Sequence, residues 1–150
     1  MPESQPFAVE NVRERGRLKE LLGRLNDEDL SRGLGDGWTV ATLLAHLAFW
    51  DQRLLAVLSR WKKTGVGTCE LDVDTVNEAL REICAAMPPR AAAQLAVASA
   101  EAVDRFLEQA PLEFIEEVGK IGPEWLLNRA LHRREHLDEI EGCWSEQANP

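Results

Sequence analysis

The most constraining feature of this chain is a long apolar stripe with helical period in its first half. Leu43, Leu47, Trp50, Leu54, Val57, Leu58 and Trp61 recur at three- and four-residue spacing. Such a stripe lies on one side of an α-helix and must be buried against other elements. Thr39 stands just before it as an N-cap, a position that favours a short oxygen-bearing side chain. Lys62 and Lys63 place cations where a helix C-terminus favours them, and Gly65 then breaks the pattern.

Three further stretches carry the same period. Ala8 to Leu25 presents Val12, Leu18, Leu21, Leu22 and Leu25. Arg90 to Gln109 is alanine-rich and carries Leu95, Val97, Val103, Phe106 and Leu107, with Pro89 at its start and Pro111 at its end. Glu124 to Cys143 follows Gly122-Pro123. A shorter helix is predicted from an Asp72 or Asp74 cap to Ala86, with Val73, Val76, Leu80 and Ile83 on one side. Asn26–Gly37 and Leu112–Gly122 are read as a loop and a linker, residues 1–7 as a leader, and SEQANP as a polar tail. No segment alternates with period two. The expectation is an all-α chain, a single domain over residues 1–150. Four main helices would form a bundle, with a long crossover carrying the short extra helix between the second and third. A connection of that length permits parallel neighbours.

Composition narrows the partners. A net charge of -9, with no basic stripe, argues against nucleic acid and anionic membrane surfaces. No run approaches the apolar length of a membrane span, and the N-terminal sequence has no apolar run, so no signal peptide is expected. Cys69, Cys84 and Cys143 are scattered and odd in number, which fits free thiols in a reducing cytoplasm.

The chemistry-bearing residues are the three histidines of the chain. His132 and His136 are four apart in LHRREHLDEIE, hence on one face of a helix. Alone, such a pair fits a solvated face as well as a metal site. His46 is the stronger oddity, because it lies among Leu43, Leu47, Phe49 and Trp50. One histidine in an apolar helix and an i,i+4 pair on another are what a three-histidine site needs. Imidazole suits zinc, nickel, copper or iron, and three protein ligands leave a coordination position open for water or substrate.

His132 to His136 also reads H-x-x-E-H, a protease signature in which the glutamate is the base. That motif takes its third ligand from a glutamate well downstream. The short stretch after His136 offers only Glu139, Glu141 and Glu146. Glu135 lies about 80° off the midline of the pair on a 3.6-residue wheel. The protease reading is therefore set aside, and Glu135 is read as a flanking or surface carboxylate.

Three segments resemble the DinB-like (YfiT-like) metalloproteins, nearest the branch of the N-terminal domain of mycothiol-dependent maleylpyruvate isomerase. They are GWTVATLLAHLAFWDQRL at residues 37–54, DVDTVNEAL after the crossover, and the H-x-x-x-H filled by His132 and His136. The resemblance implies a four-helix bundle with His46, His132 and His136 on one divalent metal, zinc or nickel. It implies a homodimer and a thiol-dependent S-transferase or hydrolase acting on a small molecule. The thiol would be of low molecular weight, such as mycothiol, bacillithiol or glutathione, bound to the metal as thiolate. The alternative is a non-catalytic bundle of the same fold, a stress-related or ligand-binding module.

Around these histidines, Asp51 and Asn77 are candidates for polar groups near the site. Asp51 is about 140° from His46 on the helical wheel, which favours a surface or helix-pairing role. Trp38 and Trp50 are read as core residues that could line a substrate pocket. Arg129 and Arg133 flank the pair, suited to a solvated face, to salt bridges or to an anionic substrate.

Overall fold

The helix that carries the long stripe is the centre of the molecule. A computed structural model describes residues 5–148 apart from Cys69. In it, helix α3 spans Val40–Thr64. Thr39 caps it by accepting a hydrogen bond from the Thr42 amide, and Gly65 closes it with φ of 97°. Every residue from Val40 to Ala48 is buried, so the first turns are surrounded on all sides.

The other helices are α1 (Pro6–Arg24), α2 (Asp27–Leu30), α4 (Val73–Ala86), α5 (Pro89–Gln109), α6 (Leu112–Ile121) and α7 (Ala130–Ala148). The described residues are thus mostly helical, as expected of an all-α chain. None of their helices is long and apolar enough to cross a membrane. Side-chain pairs fix the helix directions. His46 meets His132 while Asp51 meets Arg129, so α3 and α7 run antiparallel. Glu14 meets Arg134 and Arg17 meets Asp138, so α1 and α7 run parallel. Arg15 meets Asp104 and Lys19 meets Glu101, so α1 and α5 run antiparallel. Accordingly α3 and α5, joined by the crossover that holds α4, are parallel.

The apolar core falls into two clusters. One gathers Leu18, Leu21, Val40, Leu43, Leu44, Leu47, Ala96, Ala100, Leu137 and Ile140. The other gathers Leu54, Leu58, Trp61, Val103, Leu107, Ile115, Val118 and Leu126. Along α3, α7 and α1 the gap between the clusters is filled by buried polar side chains: Asp51, Arg129, Arg133, Asn11 and Glu14. This polar belt explains why Val12 is half exposed although it stood among the expected core residues. The belt-facing side of α1 is occupied by Asn11 and Glu14 instead. Val73 and Ile83 are likewise exposed, and α4 buries Leu80 and Cys84.

Several boundaries differ from the sequence expectations. The segment read as a linker is helix α6. Leu112, Ile115 and Val118 follow helical spacing, and Ile115 and Val118 are buried. Pro111 ends α5, but its fixed φ also suits the residue that precedes a helix, and it occupies that place in α6. The segment read as a loop contains α2 and a small antiparallel hairpin, β1 (Gly33–Gly35) with β2 (Trp38–Thr39), paired Gly33 to Thr39 and Gly35 to Trp38. Strands of two or three residues are too short to show a period. The hairpin turn needs positive φ at Gly35, Asp36 and Gly37, a region that glycine enters freely and aspartate tolerates.

The last helix starts at Ala130 rather than Glu124. A 3-10 turn at Glu124–Leu126 precedes it. The cause is remote: Asn11 of α1 accepts from the Ala130 amide at 2.9 Å and donates to the Leu127 carbonyl at 3.0 Å. Of the expected leader, Pro6 and Phe7 already belong to α1, and residues 1–4 lie outside the described region. Helix α7 extends through the expected tail to Ala148. Cys69 lies outside the described residues, and Cys84 and Cys143 are free thiols.

Candidate metal centre

Helix α3 delivers His46 between Trp38 and Trp50, whose rings stand edge-on to it at centroid distances of 5.6 Å and 6.3 Å. The hairpin places Trp38 there, one residue before the α3 cap. Helix α7 delivers His132 and His136 on adjacent turns. The Nε2 atoms of His46 and His132 are 3.3 Å apart, and those of His132 and His136 are 3.0 Å apart. One ligand atom from each of the three lies within 4.8 Å of the others. The structure thus brings together the three histidines singled out in the sequence.

Three Nε2 atoms aimed at one place make a site that suits a shared cation. A neutral imidazole has one nitrogen lone pair, and lone pairs aimed at one another repel. Two of the three nitrogens could share a proton, but a third then points at the same place unsatisfied. A cation satisfies all three. Zinc–nitrogen bonds of about 2.0–2.1 Å in a tetrahedral arrangement put ligand nitrogens about 3.3 Å apart, close to the separations found. His136 adds direction. Its Nδ1 is 3.0 Å from Oε1 of Glu139, and a carboxylate there holds the proton on Nδ1, leaving Nε2 as the lone pair. The donor set therefore fits a divalent ion of the imidazole-preferring kind.

Protonation agrees with this. Burial, followed by the nearby His136, pushes His46 down to about 4. Burial pushes His132 down to about 2, with His136, Arg129, His46 and Arg133 adding to it. Both imidazoles are neutral at physiological pH, the form that binds metal. In an unfolded chain they titrate near their ordinary value, about 6.5. The folded values are lower, so the unfolded state binds more protons below that value, and stability falls as pH falls. The metal-free protein is expected to lose stability between pH 7 and pH 5, measured by urea denaturation. A His132→Gln variant is expected to lose less over the same interval. An equal pH slope in the two proteins would contradict this.

Behind the histidines, the polar belt fixes α7. The Arg133 guanidinium donates to both Asp104 oxygens at 2.8 Å and 2.9 Å and to Asp51 at 3.3 Å. Arg129 donates from Nε to Asp51 at 2.9 Å and from Nη1 to the Trp125 carbonyl at 2.8 Å. Arg15 reaches Asp104 from α1 at 2.9 Å. Both Arg129 and Arg133 are buried, so the solvated-face reading of these residues is corrected and the salt-bridge reading stands. Asp51 is buried too and pairs helices rather than facing solvent. Its angular distance from His46 turns it toward the arginines that flank His132.

Two connected clefts open beside the histidines. One of about 380 Å³ is lined by His46, Trp50, Val73, Asn77, Trp125, Arg129, Leu131, His132 and Glu135. The other, of about 490 Å³, includes Trp38, Asp36, His136 and Glu139 and shares His46, Val73, Asn77, His132 and Glu135 with the first. Asn77 sits beside the site as expected and accepts a hydrogen bond from Trp50 Nε1 at 3.0 Å. Trp50 is buried and also lines the first cleft, so it serves core and cleft at once. Glu135 is exposed, as its helical angle required, yet it borders both clefts.

Asp104, Asn11 and Trp125 were not singled out in the sequence, and Glu139 was weighed there only as a protease ligand. Asp104 had a signal: it lies on the apolar side of α5, one turn after Ala100, where an unpaired carboxylate is costly. Glu139 had a weaker one, its i,i+3 spacing from His136. Asn11 and Trp125 had none.

The comparisons with known proteins follow the same line. Searches of the curated proteins and of the solved structures give no significant match. The profile described as mycothiol maleylpyruvate isomerase N-terminal domain matches residues 12–119. That span runs from α1 into α6 and includes His46, while His132 and His136 lie beyond it. It takes in well over half of the sequence, so the chain belongs to the mycothiol maleylpyruvate isomerase N-terminal domain family.

Proposed function

We propose that this chain is a DinB-like four-helix bundle built from α1, α3, α5 and α7, a single domain in which His46, His132 and His136 hold one divalent metal. We read it as a cytoplasmic, homodimeric enzyme, a thiol-dependent S-transferase or hydrolase acting on a small molecule. The observation that carries this reading is the convergence of three Nε2 atoms, two of the contacts being 3.0 Å and 3.3 Å, beside an open cleft. The family description, with its mycothiol and isomerase, supports a thiol as the second reactant.

A divalent ion at this position supplies Lewis acidity and lowers the pKa of a thiol or water that binds it. The chain's own residues do the rest. Glu139 holds the proton on His136 Nδ1 and keeps Nε2 available. The Trp38 and Trp50 rings shield His46 from water, and burial keeps His46 and His132 neutral. The cleft walls Trp50, Val73, Trp125 and Leu131 receive the apolar part of a reactant, while Asn77, Glu135 and Arg129 offer polar contacts.

Purified protein loaded with zinc or nickel is expected to consume a low-molecular-weight thiol together with an electrophilic acceptor. Mycothiol, bacillithiol and glutathione are to be compared, with chelator-treated protein as the control. Turnover that needs both metal and thiol supports the transferase reading. Metal-dependent turnover without thiol supports the hydrolase. No turnover in any combination, with metal bound, makes the protein a non-catalytic ligand-binding bundle.

A further inference from the structure

The cleft beside the histidines contains one cationic side chain whose donors are not all used. The Arg129 side chain is 3% exposed, so its guanidinium has been taken almost entirely out of water. Two of its nitrogens are occupied, Nε by Asp51 and Nη1 by the Trp125 carbonyl. The remaining nitrogen, Nη2, has no hydrogen-bond partner among the described residues, nor is it sealed in the core like Arg133 Nε. Arg129 lines the 380 Å³ cleft, so that nitrogen opens onto it.

The group is also held rigid. Asp51 grips it from α3, Trp125 takes a second donor, and the Trp125 ring lies 6.0 Å from the guanidinium carbon. A donor fixed in place, already desolvated and short of one acceptor is preorganised for an oxygen anion. The surroundings sharpen the choice. Trp50, Val73, Trp125 and Leu131 form apolar walls, and Glu135 at the rim excludes a second negative charge there. The chain as a whole carries -9, so its surface offers few places where an anion is welcome.

The geometry points to Arg129 as a ligand-binding residue that receives the carboxylate of a small molecule with an apolar body. One free nitrogen makes the contact end-on rather than two-pronged. The inference shares its cleft with the proposed metal-dependent activity, but it does not need the metal, and its test can be run without one.

The probes are phenylacetate and its neutral counterpart phenylacetamide. Each is titrated into chelator-treated, metal-free protein, and binding is followed by tryptophan fluorescence and by calorimetry. The wild type is expected to bind the carboxylate at least about tenfold tighter than the amide, the scale of one charge-assisted hydrogen bond. Arg129→Met removes every donor and the charge at this position, while Asp51 keeps its bond from Arg133. That variant is expected to bind both probes equally, at the wild type's affinity for the amide. Equal binding of the two probes by the wild type overturns the proposal, and so does a preference that survives in Arg129→Met. A variant that failed to fold would leave the wild-type comparison deciding alone. Carboxylate preference without metal binding would sink the metal-centre reading and leave this one standing. Metal binding without carboxylate preference would do the reverse.

Discussion

Replacing His132 with alanine is expected to abolish stoichiometric zinc binding. His132 is the middle ligand, with its Nε2 within 3.0 Å of His136 and 3.3 Å of His46. Removing it leaves two nitrogens on different helices and opens the site to water. Loss of an outer hydrogen-bond partner of a metal ligand lowers affinity by about 10–100-fold, so loss of the ligand itself is expected to exceed about 100-fold. Glu139→Gln supplies the scale from the other side. It keeps the three imidazoles but weakens the hold on the His136 proton, and about a tenfold loss is expected. Calorimetric titration of zinc into metal-free protein measures both. Wild-type affinity in His132→Ala would mean that the three imidazoles do not act as one site.

The largest effect on stability is expected at Arg133, the bulkiest fully buried side chain among the described residues. Arg133→Met leaves Asp104 and Asp51 buried with fewer partners, and breaking a buried pair in this way costs about 3–5 kcal/mol. A domain of this size has a total stability of about 5–15 kcal/mol, so the variant is expected to sit near the edge of unfolding. Asp51 keeps Arg129 and Asp104 keeps Arg15, which holds the cost within that range rather than above it. Adding Asp104→Leu to Arg133→Met removes the stranded charge together with its lost partner. The double variant is expected to be more stable than Arg133→Met alone, a non-additivity that urea denaturation resolves. Equal or lower stability in the double variant would show that the pairing of Asp104 with Arg15 outweighs the charge left by Arg133.

These two regions differ in how far the sequence revealed them. The histidines were legible because imidazole is rare in this chain and because i,i+4 spacing has a fixed geometric meaning. Placing His46 opposite the pair required only that α3 and α7 pack together. The belt was less legible. Arg129 and Arg133 sit in a run of charges, and nothing local separates the two that turn inward from Arg134, which stays partly exposed. What decides it is the partner, Asp51 on α3 and Asp104 on α5, each far away in sequence. Helix boundaries failed for the same reason. The start of α7 is set by Asn11 of α1, and no residue near Ala130 announces it. Helix α6 was hidden by the double role of Pro111, read as an end when it is also a beginning.

The account stands on the claim that His46, His132 and His136 share one ion. The most direct measurement is a crystal structure of protein incubated with zinc, with anomalous data collected on both sides of the zinc absorption edge. One peak per chain is expected, about 2.0–2.1 Å from the Nε2 atoms of all three histidines. A peak held by fewer than three of them, or none between α3 and α7 with zinc bound elsewhere, would contradict it.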